Sequence, residues 1–516
     1  MSKMAKAATW LMLATLLAKI LGFGREIALS YVYGTNAYTE AFVMAFNIPT
    51  IIFAAIGSAI ATTYIPIFFE VRGESGEDGA LKLTNNIFNT VIIICGTIAT
   101  IGVLFTEPLV KLFAMGFEGE RLRLTVEFTR ILIVSVIFIG LSYVMTAYLQ
   151  VHNNFTVPGL ISIPKNIIII ISIFLSAKYH PLIIAIGTFI GIATEFLIQV
   201  PFAYKKGYRY KLHIDLRDDK IKKLIMLIGP IFIGIAVNQI NTMIDRTLAS
   251  TLPYGTVGAL NFASKLNGFV IGLFIVSISA VAYPMISKLS AENSSKDFSK
   301  VIVKSVNSII LLVLPVSVGA IVLCTPIVRL LFERGEFTKA DTIMTASALA
   351  FYSIGLIGSG LSDMLTKILY SLKDTKTPMI VAIIAVLVNI VLNLVFIKIL
   401  KHSGLALATS ISNLSVMVML FIALKKKISY FGQDKIIIVF IKSLIASILM
   451  GGVVYISNLY LGNALGYGLL EQVIALGISV LIGVIIYGGI IIVFKVEEIT
   501  IVIDLVKQKL KARGGK

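Results

Sequence analysis

Apolar runs long enough to cross a lipid bilayer follow one another from Ala8 to Phe494, with short polar turns between most of them. A spanning helix needs about 20 such residues. In hydrocarbon each backbone amide and carbonyl must be satisfied within the protein, so runs of this length span as helices. The chain has 516 residues, of which 14% are charged and 57% hydrophobic; soluble domains carry about 25% charged residues. Water-soluble fold classes are therefore excluded. The expected fold is an all-α polytopic membrane protein with about fourteen transmembrane helices.

The expected spans are 8–33, 39–69, 83–113, 124–151, 157–177 and 181–204, then 224–251, 257–286, a ninth ending near 331, 343–372, 378–400 and 404–424. Between 69 and 83 lies a polar loop, E-V-R-G-E-S-G-E-D-G. Two more spans, 436–461 and 470–494, follow, and then a basic tail. The first twelve form two similar halves. Arg25–Thr35 and Arg246–Thr256 share Arg, Ala, Tyr, Gly and Thr at an offset of 221. Gly140, Thr146, Leu149 and Pro158 recur as Gly360, Thr366, Leu369 and Pro378 at an offset of 220. A period this long implies duplicated bundles, and six spans per half implies an axis along the membrane normal. The expected organisation is an N-terminal six-helix lobe (1–204), a basic cytoplasmic linker (205–223), a C-terminal six-helix lobe (224–427) and a C-terminal segment of two extra helices (428–516).

The formal charge of +18 fits basic cytoplasmic loops and anionic lipid. No extramembrane basic domain exists to hold nucleic acid. The linker carries eight basic and three acidic residues, and most other basic loops follow even-numbered spans; both termini are expected in the cytoplasm. Cys95 and Cys324 lie in apolar runs, and the four histidines are scattered, so neither a disulfide framework nor a metal cluster is expected. The N-terminus lacks a small-residue cleavage site. No phosphate-cradling loop and no Ser-His-Asp or extramembrane carboxylate set is present, which argues against an ATPase, a hydrolase or a membrane glycosyltransferase.

Charge at membrane depth is costly and marks function. Lys19, Arg25, Arg246 and Lys265 are basic and lie in the first two spans of each half. A cavity lined by them would be electropositive and suited to phosphate. The alternative is local pairing, Lys19 with Glu26 and Arg246 with Asp245. A second set is mostly neutral. Asn238, Asn241 and Asp245 share one helical face; Asn389 and Asn393, and Thr409 and Asn413, are spaced i, i+4. Asp245, Asn389, Asn393, Thr409 and an unpaired carbonyl near Leu405 could ligate sodium. Spacing alone favours the alternative, hydrogen bonding between helices.

K-I-L-G-F-G-R-E followed by E-A-F-V-M-A-F-N-I-P, I-D-R-T-L-A-S followed by G-A-L-N-F-A-S-K-L, L-F-E-R-G-E-F-T and Y-S-L-K-D-T-K-T-P occur in that order. Together they resemble the MurJ/MviN lipid II flippase family of the multidrug/oligosaccharidyl-lipid/polysaccharide exporter superfamily. The resemblance implies two six-helix lobes around a V-shaped cavity, alternating access, and a polyprenyl-tail groove formed by the last two spans. It implies lipid II, an undecaprenyl-pyrophosphate glycolipid, as partner. Arg25 and Glu26 then match the family's Arg-Asp pair, Lys19 its upstream base, Glu40 an aspartate of the second helix and Lys265 an arginine of the eighth. Some members of that family hold sodium at positions matching the second set. Two positions depart from the pattern: Phe53 stands where arginine is frequent, and Ser264 replaces an aspartate.

The expectation is a transporter, not an enzyme, moving lipid II from inner to outer leaflet of the bacterial plasma membrane. It would act as a monomer among membrane lipids, with no cofactor other than a possible sodium ion. The alternatives are export of another polyprenyl-pyrophosphate glycan and cation-coupled multidrug antiport.

Overall fold

The computed structural model describes residues 3–215, 217–292, 295–466 and 468–498. For 3–14, most of 52–62, 224–225, 227–238, 291 and 295–296 it describes the backbone only. The side chain of Asn238 and the basic tail from Lys507 lie outside the described residues.

Among the described residues every regular element is a helix. They are α1 (Lys3–Tyr33), α2 (Ala37–Leu104), α3 (Thr106–Phe113), α4 (Gly119–Leu132), α5 (Val136–Val151), α6 (Thr156–Leu160), α7 (Ser162–Lys178), α8 (Leu182–Leu197), α9 (Gln199–Lys205) and α10 (Asp219–Ser250). Then come α11 (Thr256–Val270), α12 (Val276–Ala291), α13 (Ser295–Val322), α14 (Cys324–Phe332), α15 (Lys339–Ile354), α16 (Leu356–Ser371), α17 (Lys376–Leu400), α18 (His402–Ile428), α19 (Gln433–Leu465) and α20 (Leu469–Val493). Ten described helices are long and apolar enough to cross a membrane, and the bent pair α15–α16 makes an eleventh. The other three expected spans, 8–33, 39–69 and 224–251, contain the stretches with undescribed side chains. A total of fourteen is consistent with this. The protein is an all-α polytopic membrane protein.

One expected loop is not a loop. The polar stretch 70–79 continues α2 as helix on both sides of Gly76, whose φ of 71° and ψ of −168° break the run. Only glycine takes that conformation without a Cβ penalty. Two of its carboxylates are met from α10: Lys220 Nζ binds Glu70 and Glu74 at 2.8 Å, and Lys223 binds Glu70 at 2.6 Å. These contacts hold the Glu70 carboxyl down at about 2 and push the Lys220 ammonium up to about 12.

Two compact units emerge, Met1–Asn261 with Arg334–Thr338, and Phe262–Glu333 with Lys339–Lys516. The division between them falls at a different place from the 205–223 linker between the sequence repeats. In the first unit, α2 packs against α4, α5 and α10, and α7 against α1 and α8. In the second, α13 packs against α12, α16 and α19, with Ile302, Ile309 and Val313 fully buried.

The linker itself is laid down as an extended strap on α2. Asn85 donates to the Arg209 carbonyl at 2.9 Å and accepts from the Lys211 amide at 3.1 Å. Asn86 donates to the Asp215 carbonyl at 2.8 Å and accepts from its amide at 2.9 Å. Asn89 donates to the carbonyls of Lys211 and His213 at 3.1 and 3.0 Å. Three side-chain amides on one helical face thus supply the partners that a neighbouring strand would otherwise give.

Candidate functional site

The first unit gathers the cationic segment of α1 with three other helices. Arg25 Nη2 meets Glu26 Oε1 at 2.7 Å, and both side chains are nearly buried. The guanidinium lies over the Phe46 ring of α2 at 5.1 Å and reaches Asn166 Oδ1 of α7 at 3.5 Å. Glu26 is fixed in turn, because its other oxygen accepts from Asn261 Nδ2 of α11 at 3.0 Å. A carboxylate and an amide therefore orient one arginine fork inside an apolar unit. Low dielectric strengthens that fork's attraction for an anion. Beside it, Lys165 Nζ pairs with Glu195 Oε1 at 2.7 Å, which links α7 to α8.

Glu40 stands apart from this cluster. It is fully buried, and both oxygens are engaged. One accepts from the Val257 amide in the first turn of α11 at 3.0 Å; the other meets Arg121 Nη1 at 3.2 Å. A carboxylate at a helix N-terminus satisfies an orphan donor and complements the helix dipole. Arg121 is stacked over Phe117 and Tyr254 at 4.8 and 4.0 Å. In this conformation Glu40 is a clasp joining α2, α4 and α11.

Around the clasp the backbones touch. Gly34, at φ 56°, faces the Glu336 carbonyl, which a Cβ would approach to 2.5 Å. Gly335, at φ 60°, faces the Tyr31 carbonyl in the same way, at 2.1 Å. A Cβ on Gly255 would come within 2.6 Å of Thr35 Oγ1. The repeated Tyr-Gly-Thr elements at 33–35 and 254–256 thus pack on each other. Glycine is required there both for the left-handed backbone and for the close approach.

The other expected residues are distributed as follows. Lys19, Asp245 and Arg246 are half-buried in the first unit, and Lys265 is half-buried in the second. Each of the four has electrostatic or hydrogen-bonding partners. Asp245 belongs to the first unit, whereas Asn389, Asn393, Leu405 and Thr409 belong to the second. Asn389 and Asn393 are fully buried, and Asn393 Nδ2 donates to Asn389 Oδ1 at 2.8 Å. The Leu405 carbonyl is not unpaired as expected: Thr409 Oγ1 donates to it at 3.0 Å. Threonine in a helix commonly bonds back to the i−4 carbonyl, and spacing alone does not reveal it. Among the described residues no group of three or more His, Cys, Asp or Glu could hold a metal. The neutral oxygens on α17 and α18 have the character that a hard monovalent cation accepts. Among the described residues Asn389 Nδ2 is a buried donor without a hydrogen bond.

Asn166, Asn261 and Arg121 were not among the expected site residues. The first two are amides in largely apolar helices, which was an available signal. Arg121 precedes the expected fourth span and reads as a loop residue, so nothing local marks it.

The description of the lipid II flippase MurJ family matches residues 29–476. A probable lipid II flippase MurJ of Buchnera aphidicola is 30% identical over 411 residues, covering 78% of this chain and 80% of its own. One from Bdellovibrio bacteriovorus is 27% identical and covers 96% of each chain. A solved lipid II flippase MurJ in an inward closed conformation superposes with a TM-score of 0.81 at 27% identity, over 94% of this chain and 98% of that one. An inward-facing multidrug transporter shares the fold, with a TM-score of 0.70 at 15% identity. The match runs through both halves and into the last two helices, and it includes the helices that carry Arg25, Glu40 and Asn261; this chain belongs to the MurJ lipid II flippase family.

Proposed function

We propose that this chain carries lipid II from the inner to the outer leaflet of the bacterial plasma membrane by alternating access, with Arg25 as a pyrophosphate contact. The observation that carries the proposal is the oriented Arg25 fork, nearly buried and held by Glu26 and Asn166, with Glu26 fixed in turn by Asn261. Lys19 and Arg246 are the other basic residues proposed in the first unit, and Lys265 is the one proposed in the second unit. A diphosphate entering beside Arg25 competes with Glu26 for the guanidinium. Glu26 keeps its Asn261 donor, so the exchange need not strand a buried charge. Outward opening requires the first turn of α11 to leave α2. That movement breaks the Glu40–Val257 bond and separates Thr35 from Gly255. The clasp is then the element whose two states the substrate biases.

The family resemblance and the whole-chain likeness support lipid II as the substrate. Phe53, Ser264 and Lys265 offer fewer bidentate forks than the family pattern, which favours export of another polyprenyl-pyrophosphate glycan as the second reading. The deciding experiment is rescue of cells depleted of their own lipid II flippase, combined with detection of lipid II at the outer leaflet. Growth together with outward lipid II would support the first reading; neither, in a protein that reaches the membrane, would overturn it and leave the second.

The positive loops support cytoplasmic termini, and the protein acts as a monomer in this reading. Sodium is the proposed coupling ion, with the neutral oxygens of Asn389, Asn393 and Thr409 in the second unit as its proposed ligands. Sodium should raise the melting temperature of the purified protein more than an equal concentration of a large organic cation does. Equal stabilisation of Asn389→Ala would leave the polar set as ordinary helix–helix hydrogen bonding.

A further inference from the structure

The second unit holds a groove of about 750 Å³, away from every residue assigned above, between α13, α19 and the segment that follows α20. Lys300 and Lys304 stand one turn apart on α13; Lys435 and Lys442 stand two turns apart on α19; Lys495 closes the third side. Against these five lysines the lining carries two carboxylates, Glu497 and Glu498. Lys442 is committed, donating to the Phe494 carbonyl at the end of α20 at 2.7 Å. Lys304, Lys435 and Lys495 are exposed. The floor between them is apolar, formed by Val303, Ile438 and Val439.

The surroundings identify the occupant. Ile437 and Ile441, beside the groove on α19, are about half exposed. That surface suits acyl chains and not water. The groove also lies at the N-terminal ends of α13 and α19 and the C-terminal end of α20, the level at which apolar helix gives way to basic loop. Ammonium groups on long stems at that level meet lipid phosphates. Asn307 lines the same groove at 1% exposure, donating to Glu498. Its own oxygen, and the second oxygen of Glu498, have no donor among the described residues. A headgroup with hydroxyls next to its phosphate complements both features.

We propose that this groove binds the headgroup of an anionic glycerophospholipid, with the phosphodiester on Lys304, Lys435 and Lys495 and headgroup hydroxyls toward Asn307 and Glu498. The site is separate from the substrate's path through Arg25, and the lipid ties α13 to α19 and to the end of α20.

The test uses the full-length protein and native mass spectrometry with phosphatidylglycerol or phosphatidylcholine in mixed micelles. Lys304→Gln with Lys435→Gln should weaken phosphatidylglycerol retention roughly twentyfold, at about fivefold per lysine near a membrane surface. Lys425→Gln with Lys426→Gln removes the same charge from the end of α18 and should leave retention within about twofold. Phosphatidylcholine should bind weakly to all three proteins. Equal losses in the two double variants would reduce the effect to general surface charge and overturn the proposal. Equal retention of the two lipids by the parent would also overturn it. Displacement of phosphatidylglycerol by millimolar inorganic phosphate would make this a soluble-phosphate site and not a lipid site.

Discussion

Arg25 and Glu26 are sequence neighbours, and helical neighbours do not face each other. Their 2.7 Å contact therefore depends on long side chains converging from different faces, drawn together by Asn166 and Asn261. This is why one arginine is expected to matter more than its charge. Truncating one member of a desolvated charge contact costs about 2–5 kcal/mol. Arg25→Ala should abolish rescue of flippase-depleted cells while still reaching the membrane, and Arg25→Lys should restore it only in part, because the fork is lost. Normal growth of both Arg25→Ala and Lys265→Ala cells would remove the cationic site from consideration. Glu40 makes a different expectation. Glu40→Ala strands Arg121 beside it and should lower stability by about 3–5 kcal/mol, seen as a clear fall in melting temperature in detergent. An unchanged melting temperature would show that the clasp does not hold the unit.

At the scale of elements, the asparagine strap and the α16–α17 turn are the places where polar side chains substitute for secondary structure. Asn86 satisfies both backbone groups of Asp215. Asn86→Ala leaves them to water and should cost about 1–3 kcal/mol locally, read as faster protease nicking between 208 and 215. Unaltered cleavage would mean that Asn85 and Asn89 suffice. In the turn, Asp374 accepts from the Thr377 amide at 3.0 Å and from Lys427 Nζ at 2.9 Å. These contacts hold its carboxyl down at about 2. An acid depressed by folding stabilises above its ordinary value of about 3.9 and loses that contribution as pH falls through the folded value. Asp374→Asn keeps the capping oxygen and loses the ion pair, so it should lower stability, read as melting temperature, above pH 4 by about 0.5 kcal/mol, with the gap to the parent closing toward pH 2. A gap that is constant across this range would point to packing and not to charge.

For the whole molecule, the strongest expectation is topological. With both termini inside, Ser75→Cys and Ser429→Cys should label only from the cytoplasmic side, in a background without Cys95 and Cys324. Glu120→Cys, placed beyond α3, should label from outside. Tyr254 lies in the next outward turn but carries the Arg121 cation–π contact, so it is the poorer reporter. Labelling of Ser75→Cys or Ser429→Cys from outside would reverse the orientation drawn from the basic loops.

The sequence by itself determined that the chain lives in a membrane as helices. It also led to the expectation of a repeated six-helix half, and it placed Lys19, Arg25, Arg246 and Lys265 in α1, α10 and α11. Hydropathy and internal likeness are local properties, and bilayer thickness turns them into spans. Partner choice is not local. That Glu26 takes Asn261, more than two hundred residues away, and that Glu40 takes Arg121 was decided by how α1, α2, α4 and α11 pack. The same holds for the Leu405 carbonyl, whose hydroxyl partner depends on the Thr409 rotamer, and for 70–79, where ion pairs from α10 accompany the helix through a stretch whose composition reads as a loop. Only the tertiary structure joined Gly34 to Glu336 and Thr35 to Gly255. Gly34 meets backbone and Gly255 meets the Thr35 side chain, and a sequence marks such close approaches with nothing more than a glycine.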